Sequence, residues 1–535
     1  MTNAHKTIYR YDYRRFRDQE GSAVARHPVV VVGAGPVGLA TAIDLAQRGV
    51  SVVLLDDADR IGEGSRGICW SKRTLEILDR LGVGGRLVRH GVTWKLGKVF
   101  SGDELLFSFD LLPEVGHKMP AFINLQQYYL EKALVDRALE LELIDLRWSN
   151  RVVGVDRLND GARLTIETPD GPYRLDADWL IAADGARSTI RDLLGLDFAG
   201  VTFEDKFLIA DVHMAAEFPT ERRFWFAPSF HSGQSALMHR QPDNVWRIDL
   251  QLGPDADVRA EQEPERVRAR LDKVLKPHAY ELEWVSIYTF NCRRLERFVH
   301  DRVIFVGDAA HQVSPFGARG ANSGIQDAEN LAWKLAAVLK GEGGTALIES
   351  YDLERIQAAD ENIGHSTRST DFMSPHSGAE RRLRDAVLAL APKAEFARRM
   401  INSGRLSLPK IYDTPLSTPD ATAFAGTAKL GAPLPDVPLI RRDGTGTHLV
   451  ESLSGDFELI YVRDIGNGVR PRAPDGIKLT IVGDDLQDRE GLFGARFDAT
   501  PGTAYLVRPD QHLCARWRDF DAAAVAHAHA RALQR

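Results

Sequence analysis

Cysteine is nearly absent: the 535 residues hold three, Cys69, Cys292 and Cys514. None stands in a CxxC or other metal-ligand spacing, so no disulfide framework and no metal site are expected. A reducing cytoplasm is the expected compartment. Long apolar runs are missing as well. The most hydrophobic stretch, Val29 to Ile43, is broken by glycines and a proline and ends at Asp44, too short to span a bilayer. No apolar secretory segment precedes it. Residues 1–27 include YRYDYRRFRDQE, charged and aromatic, expected to form a solvated or surface-draped extension. Nor is there a large excess of one charge: the net −7 creates no field for nucleic acid or acidic lipid. What is left, 44% hydrophobic and 27% charged, is an ordinary globular composition, long enough for two or three domains.

The informative stretch is HPVVVVGAGPVGLATAIDLAQRGVSVVLLDD, His27 to Asp57. Val29–Val32 is a β-branched run suited to a strand buried on both faces. Gly33, Gly35 and Gly38 form GxGxxG: a tight turn, a close approach for a pyrophosphate, and close helix–strand packing. A helix over Val37–Arg48 would offer its N-terminal N–H groups to phosphate, and Gly49 stops it. A second strand then leads to Asp56, placed to accept hydrogen bonds from ribose hydroxyls. Strand, turn, helix, strand and acid in register predict a dinucleotide site, without separating NAD from FAD.

Two later segments favour FAD. DWLIAADGARSTIRDLLGL, from Asp178, is a strand ending in Asp184-Gly185. RVIFVGDAAHQVSPFGARGANSGIQDAENLAWKLAAVLKG, from Arg302, is a strand over Val303–Val306 ending in Gly307-Asp308. A Pro/Gly-rich loop and a long helix with apolar face Ile325, Ala328, Ala332, Leu335 and Val338 follow. Both acids end strands where open α/β sheets bind ligands. The loop Pro315–Asn322 bares backbone N–H groups at a helix start, which favours the negative charge of a reduced isoalloxazine.

GAGPVG, ADGARS and GDAAHQVSPFGARGANSG, in that order between Val29 and Ile363, resemble the three fingerprints of class A flavoprotein aromatic hydroxylases, the para-hydroxybenzoate hydroxylase-like group. The resemblance implies an α/β fold: a Rossmann-like FAD-binding domain (residues 28–199 and 286–400) with an inserted antiparallel substrate sheet (200–285). It implies FAD with NADPH or NADH as co-substrate, O2, a small aromatic substrate and a homodimer, with no nucleic acid, membrane or metal. Carried onto this chain, the ADP-binding set is Gly33, Gly35, Gly38 and Asp56. Arg66 lies near the pyrophosphate and incoming nicotinamide, and Gln127 is an FAD-contacting glutamine with Gln126 as rival. Asp184 serves the cofactors, Asp308 touches the ribityl chain, and Gly320, Ala321 and Asn322 lie under the ring. Arg247 falls near a flavin-contacting arginine, and Pro315 matches a proline whose carbonyl faces the aromatic hydroxyl.

The middle stretch alternates like an antiparallel sheet, with Leu237 and His239 on one face and Met238 and Arg240 on the other. Family chemistry adds O2 to reduced flavin to give a C4a-hydroperoxide whose distal oxygen is electrophilic. A base beside the ring hydroxyl speeds its transfer, and water must be kept out. His239 is the expected base or substrate anchor and His213 the second candidate. His311 is expected beside Asp308, orienting its loop. His527 and His529, two apart on a helix, do not make a metal pair. LMHRQ lacks the arginine–serine pair that holds a benzoate in smaller members, so a phenol or catechol with a neutral or extended substituent is expected.

From Phe424 the texture changes: GAPLPDVPLI reads as linker-like, and strands FELIYVRD, IKLTIVGDD, TAYLVRPD and HLCARW precede a helix over Asp521–Leu533. With 401–423 as linker, 424–535 resembles the thioredoxin-like C-terminal domain of the larger phenol hydroxylase and hydroxyphenylpropionate hydroxylase type; without CxxC it is read as structural. Asp352–Leu390 is expected to be helical. Alternatives are a same-fold monooxygenase acting on a nitrocatechol, polyketide or antibiotic, or catalysing epoxidation, a flavin-binding oxidoreductase without oxygen insertion, a non-catalytic flavin-binding module, a flavin halogenase, disfavoured because WxWxIP is absent, and an NAD-dependent dehydrogenase.

Overall fold

The computed structural model describes residues 9–21, 23–62, 64, 66–253, 255–401, 406–464 and 471–535. Strand β1 (Ala25–Val32) runs into helix α1 (Pro36–Gln47), strand β2 (Val52–Leu55) and a short β3 (Cys69–Ser71). Helix α2 (Gln127–Leu139) and strand β4 (Tyr173–Ala182) follow. The chain then builds β5 (Ala199–His213), β6 (Arg222–Phe226), β7 (Ser235–Arg240), β8 (Val245–Leu252) and β9 (Glu281–Arg294). It returns through β10 (Val303–Phe305), α3 (Gly320–Leu339) and α4 (Ala346–Met373).

β10, β4, β1 and β2 are parallel neighbours in that order, so the turns that leave β1, β4 and β10 converge at one end of the sheet. Valines 29 to 31 are wholly buried, as a strand with helices on both faces requires. β1 begins earlier than its valine run because Ala25–His27 also pair with β4. The helix after the glycine turn opens at Pro36, one residue earlier than expected, where proline's missing N–H costs nothing.

A second sheet has β9, β5, β8, β7 and β6 side by side. It is wider than residues 200–285: strands Leu96–Ser101 and Glu104–Asp110 extend it beyond β6, and β9 reaches Arg294. Its alternation separates two cores. Met238, Trp246, Ile248 and Leu250 pack on one side, whereas Leu237, Phe207, Phe226 and Phe290 pack with Phe316 of the loop before α3 on the other. The latter face is turned toward the convergent turns.

The helix expected over Asp352–Leu390 is two helices, α4 and Gly378–Leu390. Pro375 lies in the break, and Ser377 and Glu380 form a capping box that starts the second. Residues 402–405 of the expected linker lie outside the described residues. GAPLPDVPLI is not a loose connection: Leu434, Val437 and Leu439 are buried in the C-terminal core. That region is a seven-stranded sheet containing β11 (Glu458–Val462), β12 (Lys478–Val482), β13 (Ala504–Val507) and β14 (Leu513–Trp517). The final helix α5 (Ala522–Ala532) is capped by Asp521. Trp333, Ala337 and Leu347 of the first half share a core with Phe457 and Leu459. The N-terminal arm is draped: Tyr11 stacks on Trp148 at 4.6 Å, and Phe16 is buried beneath the Arg147 guanidinium.

Candidate active site

The three convergent turns are packed to backbone contact. Gly33 has φ +104°, and a Cβ there would lie 2.4 Å from the Ala183 carbonyl oxygen at the end of β4. A Cβ on Gly38 would lie 1.9 Å from the Gly33 carbonyl oxygen. Gly35 differs: a Cβ there meets nothing within 4 Å, and no side chain caps the start of α1. The first N–H groups of that helix therefore face open space, a ready anion site.

Asp56 ends β2 with both oxygens on backbone: Oδ2 accepts from Ala34 N at 2.6 Å and Oδ1 from Ala58 N at 2.9 Å. Burial pushes its pKa up to about 6 against those two bonds. Its first task is to brace the glycine turn, and its remaining lone pairs suit ribose hydroxyls. Asp184 accepts from Ile190 N at 3.0 Å through Oδ2, while Oδ1 is buried without a partner. A buried carboxylate oxygen left open is costly, and a ligand hydroxyl would satisfy it. Asp308 is open to solvent yet ringed by protein, makes no hydrogen bond or ion pair with the described residues, and has its pKa raised by that environment. The orphaned Asp184 oxygen, the open helix start beyond Gly35 and the unengaged Asp308 carboxyl fit the ribose, pyrophosphate and polyol of FAD.

Loop geometry behind Asp308 depends on residues that sequence reasoning missed. Asp327, fully buried on α3, accepts from Gly307 N at 2.9 Å, from Arg355 Nε at 2.5 Å, and bonds His311 Nε2 at 2.7 Å. His311 thus steadies the loop, but through Asp327 and not through Asp308. Asn322 Oδ1 accepts from Ser71 N at 2.9 Å, and its Nδ2 donates to the Cys69 and Ala318 carbonyls at 2.9 and 2.6 Å. The side chain therefore pins β3 to the start of α3, leaving Gly320 and Ala321 as backbone donors to a ring. Asn322→Asp would set a carboxylate oxygen against two carbonyls. About a tenfold loss of FAD affinity is expected, read by flavin titration of the apoprotein.

Gln127 Oε1 accepts from Gly67 N at 2.9 Å and its Nε2 donates to Glu131 at 2.7 Å, so it holds the segment that carries Arg66. The amide with unused capacity is that of Gln126, buried with both polar atoms unpartnered. Arg66 is exposed and forms no hydrogen bond or ion pair with the described residues, and its charge acts on Glu131, Tyr288 and Asp308. The Pro315 carbonyl closes a turn by accepting from Ala318 N at 3.0 Å, with one lone pair remaining.

On the sheet side, His239 is buried with Nδ1 unpartnered. Burial, then Arg222 and Arg247, lower its pKa well below the ordinary value, so it stands neutral and is a weak base. Arg247 is committed to a buried bidentate pair with Asp211, at 2.8 and 2.9 Å, and lies 5.6 Å from the Trp284 ring. His213 Nε2 lies 3.3 Å from Glu283 Oε2, an ion-pair position further along β5. Arg240 points to the opposite face, over Trp246, as the alternation requires. Arg222 and Asp249, also facing the site, were not singled out from sequence.

A parallel sheet that gathers a glycine turn, two acid-bearing turns and an uncapped helix start, roofed by an antiparallel sheet, defines a flavin-dependent oxidoreductase. Residues 26–366 match the FAD binding domain family, and the chain belongs to it. It is similar to the 12-dehydrotetracycline 5-monooxygenase/anhydrotetracycline 6-monooxygenase of Streptomyces rimosus subsp. rimosus, 30% identical across 91% of this chain and 95% of that protein. The 3-(3-hydroxy-phenyl)propionate/3-hydroxycinnamic acid hydroxylase of Mycobacterium sp. (strain KMS) is 27% identical across 88% of this chain and 79% of its own. The solved flavin-dependent monooxygenase PieE, in complex with FAD and substrate, has the same fold, with TM-score 0.81 at 24% identity over 96% of this chain and 100% of that one. The protein is an FAD-dependent monooxygenase of the aromatic hydroxylase kind.

Proposed function

We propose that the protein uses NAD(P)H and O2 to hydroxylate a phenolic or catecholic ring. The balance is one ring C–H converted to C–OH, NAD(P)H oxidised to NAD(P)+, one proton taken up and one water released. Bound FAD supplies the chemistry: it takes hydride from NAD(P)H and delivers one oxygen atom of O2 in electrophilic form. The chain's residues do the rest. Asp56, Asp184 and Asp308 hold the polyol and ribose, and the start of α1 holds the pyrophosphate. The Pro315 carbonyl faces the ring, His239 orients the ring oxygen, and Phe207, Phe226, Leu237 and Phe290 keep water away. The observation that carries the proposal is the meeting of three strand-end turns with the polar and aromatic face of the second sheet.

The C-terminal region, residues 424–535, is proposed to be thioredoxin-like and structural. The order β12, β11, β13, β14, with β11 and β12 parallel and the other pairs antiparallel, supports that topology. A cytoplasmic setting is proposed from the free state of all three cysteines.

Purified protein is expected to be yellow and to oxidise NAD(P)H faster when a suitable phenol is added, with one labelled oxygen atom from O2 in the product. Yellow protein whose NAD(P)H consumption no phenol stimulates would reduce the reading to a flavin-binding module.

A further inference from the structure

The sheet face turned toward the flavin turns carries a cation with no direct hydrogen-bond or ion-pair partner among the described residues. Arg222 opens β6, where Arg223 pairs with Met238 and Phe224 with Leu237. Continuing that register sets Arg222 opposite His239. Alternation puts it on the face of Phe224 and Phe226, whereas Arg223 turns the other way and is bonded to Glu221 at 2.9 Å. Arg222 is half-buried and makes no hydrogen bond or ion pair with any described residue. The other arginine of this patch, Arg247, is neutralised by Asp211.

Two more groups beside it are unfilled. His239 Nδ1 and Asp249 Oδ1 are buried without partners, and Asp249 pairs in register with Leu237 on the same face. Arg222, His239 and Asp249 come from the adjacent strands β6, β7 and β8, and all three have spare hydrogen-bonding capacity. Cys69 of β3 lies within electrostatic reach of Arg222, Arg247 and Asp249, and its carbonyl is the one Asn322 holds at the start of α3. The patch therefore faces the flavin-ring end of the site. The charges that act on His239 are those of Arg222 and Arg247, on which Asp249 and Asp211 act in turn.

We propose that Arg222 binds the ring oxygen of a substrate that arrives already ionised, a phenolate or enolate acidified by an electron-withdrawing substituent, with a ring N–H of His239 donating beside it. A neutral phenol would leave a half-buried guanidinium with no directly paired anion, since Asp249 acts on it without forming an ion pair. Among the described residues no carboxylate is hydrogen-bonded to His239 to make it a strong base, and its lowered pKa agrees, so the proton must leave by the substrate's own acidity. Phe224, Phe226 and Leu237 share the face with Arg222, which seats an aromatic ring against the cation. The anion is thus the ring's own oxygen and not a carboxylate on a tail. This inference rests on the hydroxylase reading above.

The test uses FAD-loaded protein and a series of substituted phenols whose acidities bracket neutrality, with binding read from the perturbed flavin absorption spectrum. Affinity should follow the ionised fraction, so the midpoint of the pH profile should move with each phenol's own pKa. Arg222→Gln should weaken ionised phenols by about tenfold or more and leave neutral ones within about twofold, with Arg222→Lys between. Equal loss for ionised and neutral phenols, a midpoint fixed across the series, or benzoates without a ring hydroxyl bound as tightly as phenolates would each overturn it. Flavin content of each variant is measured first; should Arg222→Gln lose FAD, the same comparison on Arg222→Lys decides. If the native protein neither binds any phenol of the series nor oxidises NAD(P)H faster with one, it is the hydroxylase reading that fails.

Discussion

Gly38→Ala is expected to destabilise the first half of the chain even without cofactor, whereas Gly35→Ala should leave the apoprotein folded and remove its grip on FAD. At Gly38 the added Cβ would sit 1.9 Å from the Gly33 carbonyl oxygen and 3.2 Å from the Ala183 side chain. Backbone cannot yield like the tip of a side chain, so the turn must shift, costing about 1–3 kcal/mol or more by overpacking. The roughly 1 kcal/mol an exposed helical glycine gains on becoming alanine does not offset this. At Gly35 the backbone is extended, at φ −74° and ψ −178°, which any residue adopts, and a Cβ meets nothing within 4 Å. Poorer capping by alanine costs less than about 1 kcal/mol there. The methyl group would instead stand where a pyrophosphate approaches the helix start, lowering FAD affinity by about tenfold or more. Thermal melting of the apoproteins and flavin titration separate the two. Native-like FAD affinity in Gly35→Ala would show that the pyrophosphate lies elsewhere.

This contrast was half legible in the sequence. GxGxxG, the acid after β2 and the two Asp-bearing strand ends are local patterns, set by turn geometry and by the period of buried strands, and they stand where the spacing put them. Roles set by long-range packing were not legible. Asn322 was read as backbone beneath a ring, but its side chain bridges to β3, some 250 residues earlier. Nothing local marks Asp327 as the anchor of the Asp308 loop, because its partner Arg355 lies on another helix. Arg222 and Arg223 are equivalent in the string RRFWF, and only the pairing of β6 with β7 decides which one faces the site. The doubled glutamine has the same ambiguity: Gln127 is taken up by Gly67 and Glu131, leaving Gln126 with the unspent amide.

The largest loss of stability is expected from Glu354→Ala. Glu354, on α4 and fully buried, accepts from Arg508 at 2.7 and 3.1 Å, Lys334 at 2.8 Å, Asn330 at 2.7 Å and Thr414 at 2.7 Å. Arg508 follows β13 and also pairs with Asp510, which takes the Trp333 indole N–H at 3.1 Å. One carboxylate thus keys the C-terminal sheet onto α3 and α4. Removing it leaves two buried cations short of a counter-charge, which costs about 3–5 kcal/mol, a large part of a typical total of about 5–15. Burial alone would raise the Glu354 pKa, but Arg508 and Lys334 hold it below the ordinary carboxylate range. A depressed folded pKa means this stabilisation is fully present above the unfolded value of about 4.3, erodes progressively below it, and is gone only once pH falls through the much lower folded value. The gap in melting temperature between native protein and Glu354→Gln should therefore be widest at neutral pH and shrink progressively as pH is lowered below about 4. The next residue, Arg355, is the one that holds Asp327 and, through it, the Asp308 loop. Loosening α4 at Glu354 is accordingly expected to weaken FAD retention along with the docking of the C-terminal sheet. Full FAD retention in a Glu354→Ala protein that melts several degrees lower would show that the two halves are not coupled through α4.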